Sequence, residues 1–306
     1  MSRHPLPPER LEARTAEIGG GLTIRRALPN RHRRTVGAWC FLDHAGPMEF
    51  AAGGGMHVGP HPHIGLQTFT WMIEGDVVHR DSLGNEQLIT PGQVNLMTAG
   101  AGIAHAEDSA PGHAGKLHAA QLWIALPEGE RRRAPAFRNH PQLPLIESGG
   151  FSVRVLAGSA FGHRSPAEVY SPLVGLDLTA TGRAILAVPL AGAFEHAALV
   201  LSGAASVAGE ALAPGTLLYF GPGREELALR TEGPARILLI GGTPFGEEIL
   251  VWWNFVARTR EEIALAARDW NAGRFGAVRG SPAPPLVAPD VAGLNLRPAL
   301  NPDRTP

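Results

Sequence analysis

His61-Pro62-His63 and His105-Ala106-Glu107 share one form, a metal-binding side chain, a spacer and a second metal-binding side chain. In an extended segment residues i and i+2 project to the same side, so each motif offers two ligands to one face of a sheet. Two such strands lying side by side would bring three imidazoles and one carboxylate to a single point. That set suits Fe, Mn, Ni, Cu or Zn better than Ca or Mg, because imidazole nitrogen is a borderline ligand and the hard cations prefer all-oxygen shells. On a six-coordinate ion four protein ligands leave two open positions, the number that O2 and a chelating substrate need. A chain with 13 histidines holds an isolated His-x-His by accident easily enough. Two same-side pairs, each adjoining a glycine turn, are much harder to obtain that way.

Strands must carry these motifs, and the chain of 306 residues is long enough for two domains or one large one. Runs rich in Val, Ile, Leu, Phe and Thr recur at 21–26, 36–43, 67–73, 76–79, 86–89, 93–97 and 118–126, and again at 151–156, 173–179, 183–188, 197–201, 216–220, 226–229 and 235–240. Short strands between Gly and Pro punctuation predict an all-β sandwich or barrel in two halves. With 18% charged residues and a net charge of -1, bulk charge supplies no grip on nucleic acid or on an anionic membrane. The single Cys40 cannot form an internal disulfide, the opening MSRHPLPPER lacks an apolar signal core, and no run of ~18 apolar residues occurs. A cytoplasmic protein with no membrane span is expected.

The halves align with each other. Ile73-Glu74-Gly75 matches Leu201-Ser202-Gly203, Thr90-Pro91-Gly92 matches Ala213-Pro214-Gly215, and the strand 94–97 matches 217–220. The offset is 128 residues at the first turn and 123 at the second, so the later copy is five residues shorter around 80–85. Carrying the histidine spacings across lands on Pro189 and Ala191, then on Ala228 and Arg230, none of which suits a transition metal. A metal site is expected in the first half alone, with His196 solitary in the second. One helix is signalled by Thr259 and Glu262 as a capping box, followed by Ile263, Ala266, Ala267 and Trp270 at helical spacing before Gly273. The Pro-rich end, 281–306, reads as either an extended strap or a disordered tail.

The stretches HPHIGLQTFTWMIEGDVVHRDSLGNEQLITPGQVNLMTAGAGIAHAED, FLDHAGP and LHAAQLWIALP resemble the amino-terminal domain of the pirin family, which are bicupins. Later, VPLAGAFEHAALVLSGAASV, LLIGGTPFGEEILVWWNFVARTREEI and RDWNAGRFG resemble its carboxy-terminal domain. The resemblance reaches to about Gly280 and implies two stacked cupin β-barrels of jelly-roll type in one chain, with a short helix near the C-terminus. Residues 1–135 would be the metal-binding cupin, 136–280 a cupin without metal ligands, and 281–306 the tail. It further implies one mononuclear metal, usually iron, with Ni, Cu, Mn or Zn as alternatives, held by His61, His63, His105 and Glu107. Pirins commonly read His-Pro-His-Arg-Gly-Phe-Glu, where this chain has Ile64, Gly65, Leu66 and Gln67. An Arg and a Glu near the site are therefore missing, and Gln67 is expected to support the ligands by hydrogen bonding without binding the ion.

Other candidates rank lower. His57 is expected near the pocket as a supporting residue, ahead of His113 and His118. Gly53-Gly54-Gly55 reads as a flap near the site, and His79-Arg80-Asp81-Ser82 as part of a hairpin turn instead of a catalytic triad. Cys40 reads as a buried, inert thiol. The function expected is a metal-dependent dioxygenase of the quercetinase type, taking a small aromatic, flavonol-like substrate and O2, with Glu107 as the catalytic proton acceptor. The alternative is an iron-binding, redox-responsive regulatory protein acting through a protein partner.

Overall fold

The apolar runs between Gly and Pro turns pair as strands, because a half-buried pleated surface accommodates β-branched and aromatic side chains well. The computed structural model describes residues 7–18, 22–51, 54–110, 112 and 115–298, and among these it has 26 strands and one helix. None of the described helices is long and apolar enough to cross a membrane. The chain divides into two compact units, neither continuous in sequence: Met1–Arg14, Arg25–Leu42 and Gln142–Phe245 form one, and Thr15–Ile24, Asp43–Pro141 and Gly246–Pro306 form the other. The two expected cupins followed chain order, with boundaries at 135 and 280. Each unit draws on three segments of the chain.

The unit containing Asp43–Pro141 carries a four-stranded antiparallel sheet in the order His57–His63, Ile103–Asp108, Val77–Asp81, Glu86–Ile89. Its larger sheet runs from Ala136–His140 through Val94–Thr98, Leu66–Gly75 and Lys116–Ala125 to the N-terminal strands. Met72, Val77, Ile89 and Leu117 meet in an apolar cluster. The second cluster brings the helix onto Ala104, in the strand that carries His105, through Ile263, Ala266, Ala267 and Trp270. The helix, Arg260–Asn271, starts as its sequence predicts: Thr259 Oγ1 accepts the Glu262 N–H at 3.2 Å. The Glu262 carboxylate returns to the Arg258 N–H, one residue before the expected partner, at 2.9 Å. Of the tail, residues 299–306 lie outside the described residues. The remainder is the strap alternative: Trp270 Nε1 donates to Leu286 O, Asn271 exchanges two hydrogen bonds with Ala288, and the Leu286 N–H donates to Pro60 O at 2.9 Å.

The unit containing Gln142–Phe245 repeats the plan, with a seven-stranded sheet and a four-stranded sheet ordered Ala184–Pro189, Glu226–Thr231, Ala205–Val207, Glu210–Leu212. Ala184–Pro189 and Glu226–Thr231 thus occupy the places of His57–His63 and Ile103–Asp108. Their burial alternates strictly, and Ala184, Leu186, Val188, Leu227 and Leu229 join the apolar core. Fully burying each Leu or Val contributes roughly 1.5–3 kcal/mol, so here the counterpart of the histidine face is a hydrophobic core.

His196 is the exception in that unit. It is wholly buried, neither ring nitrogen has a hydrogen-bond partner among the described residues, and a Cβ at Gly241 would stand 2.5 Å from its ring. Burial lowers its pKa to about 4. Between pH 6.5 and 4 the unfolded chain therefore binds a proton that the folded chain refuses, and stability falls as pH falls through that window. The full effect is roughly 3 kcal/mol. Thermal unfolding of the metal-free protein should show a shallower loss of stability across this range for His196→Phe than for wild type; parallel curves would contradict the assignment.

Candidate metal centre

The two histidine motifs are brought together by strand pairing. Ile103–Asp108 lies antiparallel to His57–His63 with His105 opposite His61, and the register then slips so that Glu107 faces Val58. The extra residue falls at Gly59-Pro60, a bulge of the kind that re-aims side chains and tolerates proline. His61, His63 and His105 each present a ring nitrogen within 4.8 Å of the others. All three are buried, at 6%, 1% and 1% exposure, so bulk water is excluded from their donor atoms.

Each ring is oriented through its other nitrogen. His61 Nδ1 lies 2.9 Å from Gly59 O, and His63 Nδ1 lies 2.9 Å from Asn254 O. A carbonyl only accepts, so both Nδ1 atoms carry the proton and both Nε2 atoms carry a lone pair. Burial lowers the His61 pKa to about 4. Burial, reinforced by the neighbouring imidazoles, holds His63 and His105 well below the usual histidine range. The rings are therefore neutral near pH 7. Nevertheless His63 Nε2 and His105 Nε2 stand only 3.0 Å apart. If the His105 proton also sits on Nδ1, two lone pairs face each other at that distance and repel unless a cation lies between them. At metal–nitrogen distances of ~2.1 Å, ligands at right angles stand ~3.0 Å apart and tetrahedral ligands ~3.4 Å. The pair thus fits adjacent positions of a six-coordinate transition ion.

Asn254 is distant in sequence and close in space. The hairpin of Leu250–Trp252 and Phe255–Ala257 packs on the helix, and its main chain meets the ligand strand where Ile64 bridges to Phe255. Gly65 is needed at that approach: its φ is +69°, and a Cβ would stand 2.1 Å from Val256 O. Ile64, one of the departures from the pirin pattern, packs in the same apolar cluster. Gln67 is fully buried and donates to Thr98 Oγ1 at 3.0 Å.

Glu107 stands outside the three-imidazole cluster, with Oε1 3.5 Å from Thr70 Oγ1. Burial pushes its pKa up, against the opposing influence of His79 and Thr70. His57 lies at the far end of its strand, half-exposed, with Nδ1 3.0 Å from Asp108 Oδ1. His118 pairs with His44, Nε2 to Nε2 at 2.8 Å. Gly53 and His113 lie outside the described residues. Cys40, the single cysteine of the chain, is buried.

His79 escapes the sequence reading. It does belong to a hairpin, in which Asp81 caps the turn by accepting the Leu83 and Asn85 N–H groups. Yet Val77–Asp81 is also the other neighbour of Ile103–Asp108, with Asp81 opposite His105 and His79 opposite Glu107. His79 Nδ1 consequently reaches to 3.3 Å from His105 Nδ1. The signal was the i, i+2 spacing of His79 and Asp81, identical to that of the ligand motifs. Burial works to raise the Asp81 pKa, but hydrogen bonds from His79 and Asn85 outweigh it and hold the carboxyl below its ordinary value.

Comparison with known proteins gives one consistent answer. Residues 21–124 match the Pirin family, and residues 175–276 match the Pirin C-terminal cupin domain. A Pseudomonas aeruginosa protein named provisionally as a quercetin 2,3-dioxygenase is 54% identical over 291 residues, spanning 94% of this chain and 92% of its own length. A pirin-like protein of Caulobacter vibrioides is 38% identical, spanning 86% of this chain and 93% of its own. The crystal structure of a quercetin 2,3-dioxygenase from Acinetobacter baumannii superposes with a TM-score of 0.92 at 47% identity, covering 95% of this chain and 97% of that one.

The cluster makes a direct prediction for metal uptake. The protein should bind one divalent transition ion per chain, and His63→Ala or His105→Ala should weaken binding by more than the ~10–100-fold typical of losing an orienting partner. His57→Ala should bind as wild type does. Full occupancy in both ligand variants, measured by elemental analysis after dialysis, would rule the cluster out as the binding site.

Proposed function

We propose that this chain, which belongs to the pirin family, is a mononuclear iron-dependent dioxygenase that opens the heterocyclic ring of a quercetin-type flavonol with both atoms of O2 and releases carbon monoxide. The observation that carries the reading is the convergence of three buried, neutral imidazoles, with a half-buried carboxyl of raised pKa on the same strand as His105. His61, His63 and His105 would hold the ion, and Glu107 stands next along the strand as the fourth candidate. Bound there, a redox-active ion supplies Lewis acidity toward substrate oxygens and electronic access to O2. The names of the Pseudomonas and Acinetobacter relatives support the same substrate class.

The protein's own residues account for the remaining requirements. A flavonol must lose its hydroxyl proton to react as an electron-rich anion. Glu107 is suited to take it, because burial raises its proton affinity and the Thr70 hydroxyl stands 3.5 Å away. Thr70 itself is held by Gln121, 2.7 Å away, which leaves the carboxylate loosely constrained. Exclusion of water at the three imidazoles protects the intermediate stages from hydrolysis. The edge of Trp123 packs on the His63 ring at 5.2 Å between centroids and adds an apolar wall.

Incubating the iron-loaded protein with quercetin in air should remove the flavonol absorbance and evolve carbon monoxide, and exclusion of O2 should stop both. Glu107→Gln keeps the shape and loses the base, so its turnover should fall by ~10²–10⁴-fold. No turnover by wild type with iron, nickel, copper or manganese would overturn the proposed activity.

A further inference from the structure

We infer that Asp81, acting through His79, sets the tautomer of His105 and so turns the Nε2 lone pair of that ring toward the metal-binding cluster. The inference rests on the reading of the three histidines as a metal site and extends it to a positioning pair. His61 and His63 are oriented by main-chain carbonyls, Gly59 O and Asn254 O. His105 differs, since the partner at its Nδ1 is the ring nitrogen of another histidine, His79 Nδ1 at 3.3 Å. An imidazole nitrogen can donate or accept, so this contact by itself leaves the direction undecided.

Asp81 decides it. The His79 Nε2 atom lies 3.1 Å from Asp81 Oδ2. A carboxylate accepts only, so Nε2 of His79 carries a proton, and with one proton on that ring its Nδ1 carries the lone pair. That lone pair accepts the His105 Nδ1–H, and the His105 Nε2 lone pair is left facing His63 Nε2, 3.0 Å away. The arrangement is rigid at both ends. Asp81 Oδ1 accepts from the Leu83 N–H at 2.9 Å and the Asn85 N–H at 3.0 Å, while the Asn85 side chain donates to both carboxylate oxygens. The His79 ring stacks on Phe137 with centroids 4.1 Å apart and planes 9° from parallel, which fixes its rotation. The pair is buried, with side chains 3% and 0% exposed.

The consequence for Asp81→Asn is specific. The two backbone donors of the turn demand an oxygen at the Oδ1 position, so the amide NH2 takes the Oδ2 position, gives up the bond from the Asn85 side chain there and donates to His79 Nε2. His79 then carries its proton on Nδ1, His105 must accept there, and the proton of His105 moves to Nε2, pointing into the cluster. The turn survives and the donor set is lost. A single acceptor-to-donor change two residues' contact away thus reverses two rings in series, by the same logic that makes an orienting carboxylate indispensable to a catalytic histidine.

The test reads the imidazole nitrogen-15 shifts of the metal-free, full-length protein and separately its affinity for cobalt(II). Wild type should show His79 protonated on Nε2 and His105 protonated on Nδ1. Asp81→Asn should invert both, bind cobalt(II) ~10–100-fold more weakly and keep the wild-type circular dichroism. A wild-type spectrum with His79 protonated on Nδ1 overturns the inference whether or not the variant folds. So does a variant that keeps the wild-type tautomers and affinity. If wild type shows the inferred tautomers and takes up no cobalt(II), the positioning pair stands and the metal reading fails.

Discussion

Two neutral imidazole nitrogens held 3.0 Å apart in a water-excluded pocket form the constraint on which the rest of this structure depends. Near neutral pH neither ring has a spare proton to place between them, because each Nδ1–H is committed elsewhere and burial opposes the charged form. Such a pair costs stability unless a cation joins it. The fold maintains it nonetheless, through a bulge at Gly59-Pro60, a carbonyl contributed by the hairpin around Asn254, and a turn that anchors Asp81. These supports come from far apart in the chain, and they converge on nitrogen orientation.

The two units show what the same plan becomes without that constraint. Strands at matching places in the second four-stranded sheet carry Ala184, Leu186, Val188, Leu227 and Leu229 inward, and they build an ordinary core. The C-terminal segment belongs to the unit that holds the histidines. Its helix backs Ala104, its hairpin orients His63, and its strap binds Pro60 within the bulge. The part of the chain that reads as least ordered in sequence is therefore one of the parts nearest to the chemistry.

Much of this was legible in the sequence. The i, i+2 spacing of His61/His63 and His105/Glu107 follows from the period of a strand, and their absence from the second half from the internal repeat. The helix start and its buried stripe were equally plain, because capping and helical periodicity are local signals. What stayed hidden was non-local. No local pattern states that residues 250–257 return to the first cupin, or that Val77–Asp81 pairs with Ile103–Asp108 and so lays His79 against His105. His79 and Asp81 were read as turn residues because the turn is real, and a turn signal conceals a second role carried by the opposite end of the same side chains. Where the family pattern has other residues, Ile64 joins an apolar cluster and Gln67 bonds to Thr98, placements that depend on non-local packing. Glu107 shares the strand face of His105, but its side chain rests toward Thr70, a rotamer choice that sequence does not encode.

One transition ion is expected among His61, His63 and His105 and nowhere else in the chain. Anomalous diffraction from crystals of the metal-loaded protein, collected on both sides of the absorption edge of the ion, tests it most directly. The expected result is a single peak per chain bonded to the three Nε2 atoms and no peak in the unit containing Gln142–Phe245. A peak elsewhere, a peak bonded through Nδ1, or no peak at the three histidines would contradict it.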